Sequence, residues 1–290
     1  MKKITILSLA ITIVFAFGSL MGQDKGSHWK KGGDYSLSFT DVDFSNWAAG
    51  GDNSSTISTF MNLYASYAKN KTTWDNNLAL GFGLTNVASK GYHKSEDKID
   101  FASKWGHKAT EKLSYASLVT FKSQFTKGYE YIDDQNKNLI SDFLAPGYVT
   151  FGVGMDYKPF EFLSIYFSPV TSKLTLVSIP ELRVKYGVEP DKNMRYEFGG
   201  LSKMVFRKDI FKNVTLESKL ELFSNYLHNP QNIDVDWQNA FTMKINKYLS
   251  SSLLTHLLYD DDIDVNNAVE GKQKAVQFNR IFGIGFMYKF

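Results

Sequence analysis

The residues that could do acid–base chemistry are few. Five histidines are present, His28, His93, His107, His228 and His256. A serine nucleophile needs a histidine within hydrogen-bond reach and a polar group to orient it. His256 shares its strand parity with Ser252 and Asp260, but four residues of extended chain span about 13 Å, too far for a direct relay. His28, His93 and His228 fall in expected loops, and His107 points with an apolar set. Neither a G-x-S-x-G nor an H-E-x-x-H run occurs. The chain has no cysteine, which excludes thiolate nucleophiles, thiolate metal sites, disulfides and a lipobox anchor. Asp260, Asp261, Asp262, Asp264, Asn266 and Glu270 offer the oxygen density that calcium prefers. Counted from Asp260, however, Val265 and Gly271 stand where a calcium loop needs its glycine and its bidentate glutamate, so the segment reads as a solvated acidic loop. The sequence predicts no enzyme, no cofactor and no metal site.

What remains is a set of charges that recurs with period two. Asp75, Lys104, Lys122, Asp156, Arg195, Glu197, Lys203, Glu217, Lys219, Glu221, Asp234, Asp236 and Lys244 each occupy the polar parity of an alternating run, as do Asp100 and Lys158. Opposite them stand apolar residues. Val149, Phe151, Val153, Met155 and Tyr157 alternate with Thr150, Gly152, Gly154, Asp156 and Lys158. Ile233, Val235, Trp237, Phe241 and Met243 likewise oppose Asp234, Asp236, Gln238, Thr242 and Lys244. Side chains on a strand point alternately to opposite faces, so every such run has one apolar and one polar face.

The elements that must carry these faces are twelve predicted strands, near 35–43, 55–68, 73–86, 96–108, 112–127, 147–158, 161–172, 194–207, 213–227, 232–247, 249–261 and 275–290. They are longer than the five or so residues of an ordinary sandwich strand and suffice for the nine to eleven of a membrane-crossing one. Short turns and longer gaps alternate between them, which predicts an up-and-down antiparallel transmembrane β-barrel with short periplasmic turns and longer extracellular loops. Phe278, Phe282, Ile284, Phe286, Tyr288 and Phe290 form a closing aromatic stripe like the terminal signature outer-membrane barrels present to their assembly machinery. Trp29, Trp47, Trp74, Trp105 and Trp237 are the candidates for an interfacial girdle. The pattern explains how 23 Phe and 16 Tyr coexist with a mean hydropathy of −0.26.

Residues 1–22 read as a cleaved secretory signal, with Lys2 and Lys3 ahead of the apolar stretch Ile4–Leu20. Residues 23–34 then form a short periplasmic segment and 35–290 the barrel. A net charge of +3 with no long basic run excludes a nucleic-acid partner.

Several motifs also resemble a known family. Gly152-Val153-Gly154-Met155-Asp156-Tyr157-Lys158-Pro159, Ser168-Pro169-Val170-Thr171-Ser172-Lys173-Leu174-Thr175, Asn213-Val214-Thr215 and Leu222-Phe223-Ser224-Asn225-Tyr226 are four of them. Others are Asn229-Pro230-Gln231-Asn232-Ile233-Asp234-Val235, Asn246-Lys247-Tyr248 with Tyr259-Asp260-Asp261-Asp262, and Asn46-Trp47-Ala48-Ala49-Gly50-Gly51 followed by Asn53-Ser54. Together they resemble the Bacteroidota outer-membrane barrels of domain of unknown function 3078. The resemblance implies an outer-membrane location in a diderm bacterium and no activity. The expected role is passive small-solute passage through a narrow polar lumen. The alternative is a plugged structural barrel that docks a protein or glycan through its loops or rim. Expected partners are outer-membrane lipid, the barrel-assembly machinery and, by role, a small polar solute or a protein.

Overall fold

The computed structural model describes residues 27–42, 53–87, 91–131, 136–260, 265–267, 271–273 and 275–290. Its strands are β1 (Trp29–Val42), β2 (Ser54–Lys69), β3 (Thr72–Val87), β4 (Gly91–Lys108), β5 (Leu113–Ser123), β6 (Gly128–Tyr131), β7 (Lys137–Ser141) and β8 (Gly147–Phe160). They continue as β9 (Leu163–Leu176), β10 (Met194–Phe211), β11 (Val214–Asn225), β12 (Ile233–Lys244), β13 (Leu249–Tyr259), β14 (Val265–Asn267), β15 (Gly271–Gln273) and β16 (Gln277–Lys289). Twelve of them close into one antiparallel barrel in the order β1-β16-β13-β12-β11-β10-β9-β8-β5-β4-β3-β2, as the alternation predicts. The other four form two small hairpins, β6–β7 and β14–β15, in loops.

The five short connections lie at one end. Asn70 (φ 52°) and Asn213 (φ 65°) take the left-handed conformation that two-residue hairpin turns require. Asn246 caps another turn, its Oδ1 accepting from the N–H groups of Tyr248 and Leu249 at 2.9 Å each. The start of β1 and the C-terminal Phe290 also meet at this end, where the Gly33 and Phe290 backbones exchange hydrogen bonds of 2.9 and 3.0 Å.

Several boundaries differ from expectation, β4 starting at Gly91 and β10 running to Phe211 among them, and three have a clear local reason. The first strand starts at Trp29 rather than near 35, because Trp29-Lys30-Lys31-Gly32-Gly33 pairs residue by residue with Leu63–Tyr67 of β2. A Lys-Lys-Gly-Gly run looks like a linker until a partner edge is there to hold it. β5 stops at Ser123 rather than 127, because Asp97 captures the next amides: its carboxylate accepts from Phe125 N at 2.7 Å, Thr126 N at 3.0 Å and Lys94 Nζ at 2.8 Å. β9 runs on to Leu176 through Pro169, which has no N–H to give a ladder. The chain accommodates it in a bulge: register shifts occur opposite Val153/Met155 on β8 and Gly199/Leu201 on β10. A side chain at Gly154 would collide with the Phe167 backbone, so the glycine permits that close approach. Fully buried Ser168 and Thr171 stitch the bulge, Ser168 Oγ lying 2.9 Å from the Val153 carbonyl oxygen and accepting from Thr171 Oγ1 at 2.8 Å. The Gly-x-Gly and Ser-Pro-x-Thr motifs are therefore the two sides of one bulge.

The outward face is apolar and uncovered. Phe151, Val153, Met155 and Tyr157 on β8 are all exposed, as are Phe278, Phe282, Ile284, Phe286 and Tyr288 on β16. Eleven residues in the shortest barrel strands, β5 and β13, suffice to cross a bilayer. Several polar groups on this face pair with one another, as lipid favours. Trp74 Nε1 donates to Ser103 Oγ, which donates to Asn76 Oδ1, at 2.8 Å each. Trp237 Nε1 donates to Ser218 Oγ at 3.0 Å. Trp29 packs 5.7 Å from Trp74 between ring centroids, which starts an aromatic girdle at the short-turn end.

Candidate functional site: the barrel lumen

Alternation alone decides which side chains enter the lumen, and there they meet from distant strands. Near the short-turn end, Lys104 of β4 reaches Asp156 of β8 at 2.9 Å and Ser164 of β9 at 3.0 Å. Lys158 lies 3.5 Å from Asp156 and 3.7 Å from Asp75.

At mid-height, Lys122 of β5 contacts Asp236 of β12 at 2.9 Å and Glu221 of β11 at 3.4 Å. Lys203 of β10 completes the pairing of Glu221 at 3.0 Å. Asp236 also meets His256 Nε2 and accepts from Gln238 Nε2, at 2.9 Å each. Lys98 of β4 donates to Gln238 Oε1 of β12 at 2.9 Å. Glu217 joins Lys219 at 2.6 Å and Arg207 at 2.9 Å.

Near the long-loop end, Lys173 of β9 binds Asp234 at 2.8 Å, Glu197 at 3.7 Å and Asp260 at 3.9 Å, while Arg195 pairs with Glu197 at 3.1 Å. Between these charged layers lies a buried apolar cluster of Ala116, Leu118, Tyr166, Leu201 and Phe223. Lys173 Nζ sits over the Phe223 ring, 4.9 Å from its centroid, which joins the cluster to the upper charges.

This geometry fixes the cross-section. β4 and β12 are six strands apart counted either way around the twelve-stranded barrel, so Lys98 and Gln238 bridge opposite walls. Twelve strands about 4.8 Å apart and tilted about 40° would enclose a circle roughly 24 Å across between backbones. An extended lysine and glutamine cannot span that, so the barrel is flattened, with β4–β5 facing β11–β12. One curved end, around β8–β10, is filled by the apolar cluster and its charges. The other, around β13, β16, β1, β2 and β3, has Ser36, Ser38, Ser58, Gly81, Gly83, Ser252 and Gly283 at lumenal parity, interspersed with Phe60, Asn62, Tyr64, Leu254 and Ile281.

Of the sequence candidates, Asp75, Lys104, Lys122, Asp156, Arg195, Glu197, Lys203, Glu217, Lys219, Glu221, Asp234 and Asp236 all join these lumenal networks. Lys244 closes β12 at the short-turn rim and is exposed. Sequence reasoning missed Lys98 and Lys173. Lys98 carries the right parity but sits within a Glu-Asp-Lys cluster. Lys173 lies one residue beyond the predicted strand 161–172 and shares its odd parity with outward Ile165 and Phe167, until the bulge at Pro169 reverses the faces and turns it inward with Thr171. Of the acidic loop, Asp260 is half of an ion pair with Lys173, and Asp261, Asp262, Asp264 and Glu270 lie outside the described residues. So do the Asn46–Gly51 motif and the predicted signal.

Two long loops pack on one another above β8 and β9. Ala145, Val177, Leu182 and Val188 form a second buried cluster. Tyr186 Oη donates to the Ile140 carbonyl at 2.7 Å, and burial pushes its phenol up to about 12.

The resemblance read from the sequence holds: residues 39–129 match the family model described as Protein of unknown function (DUF3078). No curated protein matches the chain. Among solved structures, the translocator domain of autotransporter NalP from Neisseria meningitidis is similar at 9% identity and a TM-score of 0.42, over 100% of this chain and 98% of that one. An outer membrane channel from Pseudomonas putida F1 is similar at 10% identity and a TM-score of 0.41, over 92% of this chain and 99% of that one. OmpT of Vibrio cholerae is similar at 9% identity and a TM-score of 0.33, over 90% and 97%.

Proposed function

We propose that the protein is an integral outer-membrane barrel of a diderm bacterium, exported by a cleaved signal at residues 1–22, whose lumen is occluded at rest. It is not an enzyme in this reading and takes no cofactor; it acts through its loops, rim and lipid-facing wall. The observation that carries this is the Lys98–Gln238 bridge between opposite walls. Lys122 supports it by bonding two carboxylates four and five strands away. Charges that neutralise one another across a lumen fill it rather than screen a solute stream.

A second reading has one observation in its favour. Ser36, Ser38, Ser252 and Gly283 put short side chains on the lumen face beside β1, next to Phe60 packed over Gly81, and narrow passage of small polar solutes would run there. Liposome swelling separates the two. Occlusion predicts no swelling above protein-free liposomes with a pentose as osmolyte, and swelling at a porin's rate would remove it.

A further inference from the structure

The barrel closes on a short seam. Among the described residues, the β1–β16 ladder begins at Asp34–Lys289 and ends at Ser38–Gly285. Above that, Phe39–Val42 pairs only with β2, and Gln277–Ile284 pairs only with β13. The β4–β5 ladder also stops early, at Ile99–Ser123, but there Asp97 takes up the amides just beyond β5; at the seam β1 and β16 part above Ser38–Gly285 as a wedge that faces the bilayer. Unpaired strand edges are costly in hydrocarbon, where no water replaces the missing partner.

The lips of the wedge carry distinctive chemistry. Phe39, Phe282 and Ile284 are exposed along its outer edge, and an apolar groove of about 410 Å³ continues below it between Tyr35, Leu37, Tyr248, Phe286 and Tyr288. At its top, Arg280 shares the outward parity of Phe278 and Phe282, and Asp41 that of Phe39; both are exposed. Arg280 stands ten residues above the C-terminal Phe290, which at about 40° of tilt is roughly 25 Å, the height of the apolar band. A cation and an anion thus flank the wedge at headgroup level. An open edge and an apolar groove hang below them.

We propose that the β1–β16 seam is a binding site for one bilayer phospholipid whose headgroup carries both a phosphate and a primary ammonium. The phosphate meets the Arg280 guanidinium, the ammonium meets the Asp41 carboxylate, and an acyl chain descends through the wedge into the groove. This rests on the bilayer reading above and deepens it by naming the lipid and the place.

The test uses the full-length mature barrel refolded in phosphatidylcholine vesicles, accepted only if its gel mobility shifts on heating; a chain soluble without detergent would refute the membrane reading itself. Phe39→Trp reports from the seam and Phe167→Trp from the opposite wall, each corrected for wild-type emission. Quenching by brominated phosphatidylethanolamine, phosphatidylglycerol and phosphatidylcholine is compared. At Phe39→Trp the ethanolamine lipid should be preferred over the choline lipid by about fivefold, the worth of one charge at the interface. No preference is expected at Phe167→Trp. Arg280→Gln and Asp41→Asn should each reduce the preference by a similar factor. Because the chain has no cysteine, Thr40→Cys with Gly283→Cys gives a single disulfide that zips the wedge, and it should abolish the preference. Equal quenching by all three lipids at Phe39→Trp, or a preference for the glycerol lipid, would overturn the proposal, as would a preference surviving in the zipped barrel.

Discussion

Lys98 Nζ donates to Gln238 Oε1 at 2.9 Å from the diametrically opposite strand of the barrel. The lumen is therefore a packed interior at that height, and its ion pairs should behave as structural groups that depend on one another.

Removing Lys122 tests that dependence. The side chain is largely buried between Glu221 and Asp236, so Lys122→Met leaves two carboxylates short of a partner. Breaking a buried pair costs about 3–5 kcal/mol; here Lys203 on Glu221 and the His256 and Gln238 hydrogen bonds to Asp236 should hold the loss toward the lower figure. Adding Asp236→Asn to Lys122→Met should recover part of it. Urea unfolding in vesicles, followed by tryptophan emission, measures both. Independent additive losses would show that the charges do not couple.

The two faces should tolerate charge differently. Val153→Arg places a cation on the lipid face in the middle of β8 and should destabilise the barrel by about 2–4 kcal/mol. Ser252→Arg places the same side chain at lumenal parity on β13 and should cost far less. Equal losses in folding yield into vesicles would contradict the assigned faces.

Asp97 is expected to hold the β5 exit. Its carboxylate accepts from two amides and Lys94, and hydrogen bonds to a charged group contribute about 1.5–3 kcal/mol each. Asp97→Ala should leave the barrel folded while speeding protease cleavage between residues 124 and 146 at least tenfold. Unchanged cleavage would refute the clamp.

Tyr186 gives a pH dependence outside the membrane. Its phenol is raised to about 12 in the fold against about 10 when unfolded. Between these values the unfolded loop has lost the proton that the folded loop keeps, so loop stability is full below pH 10 and falls as pH rises toward 12. Proteolysis of the 177–193 loop should accelerate over that window in the wild type. In Tyr186→Phe it should be faster throughout and flat with pH.

Much of this architecture was legible in the chain. Alternation depends only on the two-residue repeat of an extended backbone, so runs such as Val149–Tyr157 announced both strand and faces. What parity cannot state is the partner. Nothing local to Lys98 points to Gln238, 140 positions away, because that contact follows from closure and flattening of the whole barrel. Lys173 was hidden by the bulge at Pro169, which reverses the inward parity from Tyr166 and Ser168 to Thr171 and Lys173, a reversal that simple alternation cannot announce. The short β1–β16 ladder was equally invisible, since Phe39–Val42 and Gln277–Ile284 alternate like any paired strand.

Single-protein recording in a planar bilayer tests occlusion most directly. The refolded wild type should insert without stepwise conductance. A Lys98→Ala, Lys122→Ala double variant, with the wall-to-wall bridges removed, should show discrete steps. Steady porin-sized conductance from the wild type, unchanged in the double variant, would contradict the occluded lumen.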